Sequence, residues 1–480
     1  MSAMSIDELI DGAMRPLADV VSQFIFYAVP VAGTRVPLVV AWLIAGGVFF
    51  TLYLGFINLR GFRHALQLAG GRYTDPSQPG EVTPFQALAT AVSGTVGIGN
   101  IAGVAVAISL GGPGATMWMI IAGLLGMSTK FAECTMSVKF RHTHQDGSVS
   151  GGPMYYLLHG LKLRRLPRLG RWLGMFYAAS MVLGCLGIGN MFQSNQAAAI
   201  LIDVTGGSAS FFQDRAWVLG LVMAVTVALV IIGGIRSIAR VTSKLVPFMA
   251  VLYVLTALLI LTMNFERLPA AIVQIWQGAF SAESVGGGFI GVMIIGFRRA
   301  VFSNEAGLGS AAIAHSAVQT DEPSTEGFVS LLEPFIDTVI ICTMTALVIV
   351  TTVYDPALAD SGVNGIELTT SAFASTLSWS PLPLSIAAVL FAFSTMLSWS
   401  YYGLKSLTYL TGENQLVEAA YKLIFCAFVV LGSSVQLGAL IDLSDAIIYV
   451  VAIPNLLGLY LLAPTLRAEV LSYRERLRRY

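Results

Sequence analysis

The sequence predicts an all-α integral membrane protein with eleven transmembrane helices: one extra helix, then two five-helix halves that enter the bilayer from opposite sides. Three observations predict it. Only 11% of the 480 residues are charged and 56% are hydrophobic, with a mean hydropathy of +0.76; a soluble domain carries about 25% charged residues. Eleven apolar stretches each reach the ~20 residues that cross a hydrocarbon core. Glycine- and asparagine-bearing interruptions recur in the opening helix of each half.

The same composition excludes several classes. Apolar content this high is not that of a disordered chain. With 27 Lys+Arg against 27 Asp+Glu the chain lacks the basic balance of a nucleic-acid binder. Cys134, Cys185, Cys342 and Cys426 each lie in an apolar run and form no CxxC pair, which predicts buried free thiols. Asp7, Glu8, Asp11 and Asp19 make the first 35 residues a poor secretion signal, so the first span is expected to carry the targeting information.

The spans read, in order, 37–57, 84–110, 114–137, 173–201, 216–236, 241–263, 286–318, 327–352, 383–405, 416–438 and 443–465. Backbone in lipid must satisfy its own hydrogen bonds, so each is a helix, and the alternating ten-residue segments of a membrane barrel are absent. Segments 5–28 and 268–280 are short and amphipathic and are expected to lie on the surface. With the N-terminus outside, the inward loops hold nineteen Lys/Arg and the outward segments hold Arg15, Arg35, Arg215 and Arg267. That asymmetry predicts an extracytoplasmic N-terminus and a cytoplasmic C-terminus. The expected organisation is an N-terminal segment (1–36), the extra helix (37–57), a first repeat (84–263), a second repeat (286–465) and a basic tail (466–480).

Five spans per repeat is an odd number, so the repeats are inverted, the arrangement of many secondary transporters. The first repeat opens with Ser93-Gly94-Thr95-Val96-Gly97-Ile98-Gly99-Asn100, and the second contains Phe302-Ser303-Asn304-Glu305-Ala306-Gly307-Leu308-Gly309-Ser310. Each glycine costs a helix interior about 1 kcal/mol against alanine. An unwound stretch frees N–H groups, which suit a carboxylate, and carbonyls, which suit a hard cation such as sodium. Tight packing through small residues is the competing reading, and it is the better one for Gly103 and Gly126.

Other polar groups lie within the spans. The adjacent hydroxyls of Ser394 and Thr395 can add oxygens to a cation site or simply bond back to their own helix. Trp399, one turn on, caps a pocket or fills core. Asn190, Gln193, Asn195 and Gln196 make the fourth span amide-rich, as ligand partners or interhelical glue. Of the charged groups, Lys130 is expected to snorkel to the interface and Glu305 with Arg299 to form a gating pair, a structural pair or neither. His315 is expected in a solvated or packing role.

These strings, with Leu110-Gly111-Gly112-Pro113-Gly114-Ala115, Gly151-Gly152-Pro153-Met154-Tyr155-Tyr156 and Leu332-Glu333-Pro334-Phe335-Ile336-Asp337-Thr338, resemble the alanine/glycine:cation symporter family from about residue 36 to 465. The resemblance implies a LeuT-type five-plus-five fold in a prokaryotic plasma membrane, where sodium, or in some members protons, drives uptake of alanine or glycine. It implies a sodium site made by the carbonyls of Ser93, Val96 and Phe391 and the hydroxyls of Ser394 and Thr395. It implies a substrate carboxylate held by the Thr95 hydroxyl and the backbone at Ile98 and Gly99, with Gly97, Gln193, Trp399 and Phe297 or Phe302 around the pocket. The chain departs from the family pattern at Ile98, where threonine is common, and at Ser398, where glycine is usual.

No other class fits as well. No phosphate loop points to an ATP-driven pump. A channel needs a continuous polar pore or charged ring, and an enzyme needs a nucleophile–base pair or metal cluster; neither is legible. No cofactor other than the co-transported ion and no protein partner is expected.

Overall fold

The structure, a computed structural model, describes residues 6–31, 33–73, 75, 77–280, 288–355, 365–434 and 438–477. Apart from two short antiparallel hairpins, Ala28–Val31 with Thr34–Pro37 and His142–Thr143 with Val149–Ser150, the regular structure is helical. Among the described residues, seven helices are long and apolar enough to cross a membrane, and eight when the bent pair Pro84–Thr95 and Ile98–Gly111 is taken as one span. Leu38–Tyr53 and Ala216–Ile231 coincide with expected spans but have 16 residues each, about 24 Å at 1.5 Å per residue, short of the ~30 Å hydrocarbon core. The expected 286–318 span is interrupted: Gly288–Asn304 ends in an irregular stretch before Ala311–His315. Residues 286 and 287, and Arg478 and Arg479 of the basic tail, lie outside the described residues.

Sequence periodicity explains most helix ends. Thr83 starts the Pro84–Thr95 helix through a reciprocal capping box with Gln86, and proline follows at its first position. The Leu38–Tyr53 helix stops where Gly55 (φ 66°) and Phe56 (φ 58°) turn left-handed. The 138–172 segment, expected as a loop, holds the hairpin and a further helix, Pro153–Leu163, whose Tyr156, Leu157 and Leu161 are wholly buried. Gly160 there abuts Leu462, so even alanine would collide with the last long helix.

Buried polar ties hold the bundle together. Lys130 does not snorkel: it is fully buried and paired with Glu333 at 2.8 Å. His315, which the sequence left as solvated or packing, is wholly buried, with Nδ1 2.5 Å from Glu326 Oε1 and Nε2 3.7 Å from Glu333 Oε2. Breaking such a pair leaves an uncompensated buried charge, at about 3–5 kcal/mol.

One backbone contact joins the two interrupted helices. Val82, just before the Pro84–Thr95 helix, bridges in parallel to Val318, just after Ala311–His315. Glu81 N–H donates to Ala317 O (2.7 Å) and Gln319 N–H to Val82 O (2.8 Å). The Arg141 guanidinium donates to four carbonyls of the two strands, Pro79, Ser316, Val318 and Thr320. Gly80 permits the approach: its φ is +139°, and a side chain there would run into the Val318 carbonyl.

Candidate functional site

Both interruptions fall where the glycines stand, but for different reasons. In the first, the helix ends at Thr95, Val96 and Gly97 are extended, a short turn spans Ile98–Asn100, and the chain resumes at Ala102 bent by 59°. Gly97 has an ordinary extended φ of −146°; what requires glycine is space. A Cβ at Gly97 would lie 2.9 Å from Thr395 Oγ1, and one at Gly94 would lie 2.9 Å from the Tyr402 hydroxyl. In the second interruption conformation decides: Glu305, Gly307 and Gly309 have φ of 57°, 94° and 76°, where a Cβ is disfavoured.

One carboxylate ties the two breaks together. Asn100 Nδ2 donates to Asp337 Oδ1 (2.6 Å), while Ser303 and Thr338 hydroxyls donate to Oδ2 (2.8 and 2.7 Å). Asn100 Oδ1 in turn accepts from the Gly97 N–H (2.8 Å), and Asn304 Nδ2 donates to Thr338 (2.9 Å). Asp337 lies in a π-type widening, Phe335–Cys342, inside a long helix, a feature frequent at functional sites.

The oxygens assigned to sodium by resemblance cluster beside the first break. The Thr395 hydroxyl lies 3.0 Å and the Ser394 hydroxyl 3.4 Å from the Ser93 carbonyl, and Ser394 also reaches the Phe391 carbonyl at 3.0 Å. Val96 follows at the helix cap, buried, with its N–H on Val92 O. Ser398 adds a hydroxyl on the same side, donating to Thr90 O (2.6 Å) and hydrogen-bonded to Ser93 Oγ. All are neutral oxygens, the donor type that suits a hard monovalent cation.

Six of the eight expected substrate residues, Thr95, Gly97, Gly99, Gln193, Phe302 and Trp399, line one cavity of about 30 Å³ together with Thr395, Glu305, Ile188 and Leu308. That is room for one or two waters, well under the ~300–1,000 Å³ of an open ligand pocket, so the site is nearly closed in this structure. Trp399 Nε1 donates to the Gly94 carbonyl at 3.2 Å, and Gly189 packs directly on its indole ring. Gly189 belongs to a second π-type turn, Gly187–Met191, which leads into Gln193. Gln193 Nε2 is held by Ile188 O (3.2 Å), whereas its Oε1 is buried with no partner among the described residues, 3.7 Å from the Cβ position of Gly97. The other two expected residues lie elsewhere. Ile98 is fully buried off the cavity wall, and Phe297 packs against Trp118 with ring centroids 6.2 Å apart.

Sequence reasoning missed two carboxylates as site groups. Asp337 reads only within the Leu332–Thr338 string, and Glu305 only beside Arg299, as a gating pair, a structural pair or neither. Glu305 is hydrogen-bonded by the Ser310 hydroxyl and lines the cavity. The signal was available in their neighbours, since each follows or faces a small hydroxyl or amide residue at an interruption.

A model of the sodium:alanine symporter family matches residues 19–480. The chain is 39% identical over 442 residues, 92% of its length and 94% of the relative's, to the sodium/alanine symporter AgcS of Methanococcus maripaludis. It is 34% identical to the amino-acid carrier protein AlsT of Bacillus subtilis over 88% of this chain and 86% of the relative. It is 31% identical to the probable sodium/glutamine symporter GlnT of the same organism over 91% and 87%. Among solved structures it resembles MhsT in complex with L-phenylalanine, with a TM-score of 0.55 at 14% identity over 82% of this chain and 99% of that one. That likeness bears on the fold alone.

Proposed function

The chain belongs to the sodium:alanine symporter family and is a multi-pass, sodium-coupled amino-acid symporter rather than an enzyme, and from that premise we propose that it imports a small neutral amino acid, alanine or glycine, by alternating access around the two breaks. The reading comprises one extra helix and an inverted five-plus-five LeuT-type repeat (84–263 and 286–465) in a prokaryotic plasma membrane, with the N-terminus outside and the basic tail inside. The observation that carries it is the meeting of an oxygen cluster with a small cavity across a single residue. Thr395 touches the Ser93 carbonyl on one side and lines the cavity on the other.

In this reading sodium sits among the carbonyls of Ser93, Val96 and Phe391 and the hydroxyls of Ser394 and Thr395. The substrate carboxylate meets the Thr95 hydroxyl and the N–H groups of Ile98 and Gly99, and the free Gln193 Oε1 accepts from its ammonium. Phe302 and Trp399 set the room for the side chain. Because Thr395 holds the cation and also lines the substrate cavity, each binds better in the other's presence, and by linkage the effect is reciprocal.

The test is uptake of labelled alanine into proteoliposomes holding the purified protein, with an inward sodium gradient and with choline in its place. Uptake only with sodium supports the reading. Uptake indifferent to sodium but stopped by a protonophore transfers the coupling to protons. Preference for a larger substrate such as glutamine overturns the assignment to alanine or glycine.

A further inference from the structure

Among the described residues, Glu305 is the only charged one in the cavity wall, and it is 3% exposed. Its backbone is left-handed (φ 57°), which non-glycine residues seldom adopt. One hydrogen bond, from Ser310 Oγ, reaches its carboxylate. No ion pair among the described residues includes it: the buried Lys130 has its ammonium on Glu333 at 2.8 Å. A carboxylate withdrawn from water without a counter-charge is destabilising by several kcal/mol. Lys130 acts on Glu305 only at a distance, so contacts within the fold give little reason for a left-handed carboxylate with one hydrogen bond at this position, and such outliers cluster at functional sites.

The cavity itself indicates what compensates it. At one end stand the N–H groups of the first break, suited to a carboxylate. Gln193 Oε1, 94% buried in its residue and unpartnered, offers only a neutral acceptor. A zwitterionic substrate also brings an ammonium group. We propose that Glu305 is a specificity-determining residue: it accepts the substrate's α-ammonium in a charge-assisted contact and so restricts the cavity to α-amino acids over acids of equal size without an amine. The cargo's ammonium supplies the close partner that Lys130, held on Glu333, does not. This deepens the symport reading and rests on it.

The test compares alanine with lactate, which replaces the ammonium by a hydroxyl and keeps the carboxylate. Both are titrated as competitors of labelled alanine uptake into proteoliposomes of the full chain under an inward sodium gradient. The wild type is expected to prefer alanine by at least about a hundredfold. Glu305→Gln keeps the shape and removes the charge; it is expected to raise the alanine KM about tenfold or more, to leave lactate inhibition unchanged, and so to shrink the preference about tenfold. The sodium concentration for half-maximal uptake stays within twofold. A purely structural role would lower kcat or yield and leave the alanine:lactate ratio alone, and a ratio within twofold of wild type in folded E305Q overturns the proposal. Should E305Q not be recovered folded, Glu305→Asp and Ser310→Ala retain the charge but displace it, and the same ratio is expected to fall in both; an unmoved ratio in both again overturns it. A wild type that takes up no small amino acid under a sodium gradient overturns the symport reading and this proposal together, whereas normal uptake with an unmoved ratio overturns this proposal alone.

Discussion

Replacing Gly97 by alanine isolates what the first break does for the cation. The extended φ of −146° accepts alanine without strain. The added methyl would stand 2.9 Å from Thr395 Oγ1 and 3.7 Å from Gln193 Oε1. The second distance is an ordinary contact; the first is too short, so the hydroxyl must turn. Threonine in a helix has two accessible χ1 rotamers, which makes the turn easy, but it takes Oγ1 away from the Ser93 carbonyl it now meets at 3.0 Å. An oxygen lost from a charged group's shell is worth about 1.5 kcal/mol, or about tenfold in affinity. Sodium titrations of alanine uptake should therefore show half-saturation about tenfold higher in Gly97→Ala, with yield and melting temperature near wild type. Thr395→Ala should produce the same shift directly. The double variant should be no worse than Thr395→Ala, because the methyl then has nothing to displace, a coupling of about 1.5 kcal/mol. Additive effects, or an unmoved sodium dependence in folded Thr395→Ala, would refute the reasoning.

Gly189→Ala places a methyl in the Trp399 indole; displacing the ring should raise the alanine KM about tenfold and leave sodium half-saturation unchanged, which the same uptake titrations separate. Asp337→Ala orphans the donors of Asn100, Ser303 and Thr338; at about 1–3 kcal/mol per buried unmet group, it should lower the melting temperature in detergent and abolish uptake, and a wild-type melt with normal uptake would remove Asp337 as the tie between the breaks. Lys130→Met strands Glu333 and should destabilise by about 3–5 kcal/mol, measured by thermal unfolding; Lys130→Met with Glu333→Leu should be milder than the single change, and a worse double variant would show that the pair contributes net stability.

Much of the architecture was legible because burial in lipid demands long apolar runs, and helix breakers within them have few other uses. What stayed illegible depends on partners distant in the chain. The sequence marks Gly94 and Gly97 as breakers; only packing shows that they make room for Tyr402 and Thr395. Lys130 reads as a snorkelling lysine until Glu333, 203 residues on, is placed beside it. Phe297 and Phe302 could not be separated by sequence. Five residues apart at 3.6 per turn, they point about 140° from each other, so one faces the cavity with Gly99 and the other faces Trp118. Ile98, between two cavity glycines, fills core because neighbouring side chains in a tight turn diverge.

The parallel bridge at Val82 and Val318, locked by Arg141, also bears on kinetics. The two interrupted helices share a floor, so tilting one arm drags the other through the same strip of backbone. In the alternating-access reading proposed above, opening on that side would move both strands together. A state with a single arm released would break at least the Glu81–Ala317 and Gln319–Val82 hydrogen bonds without a new partner for either strand, at about 0.5–1.5 kcal/mol each and more where water cannot follow. In that reading, half-open intermediates, through which an ion could slip without its cargo, are disfavoured by chain neighbours of the breaks as well as by the binding site itself.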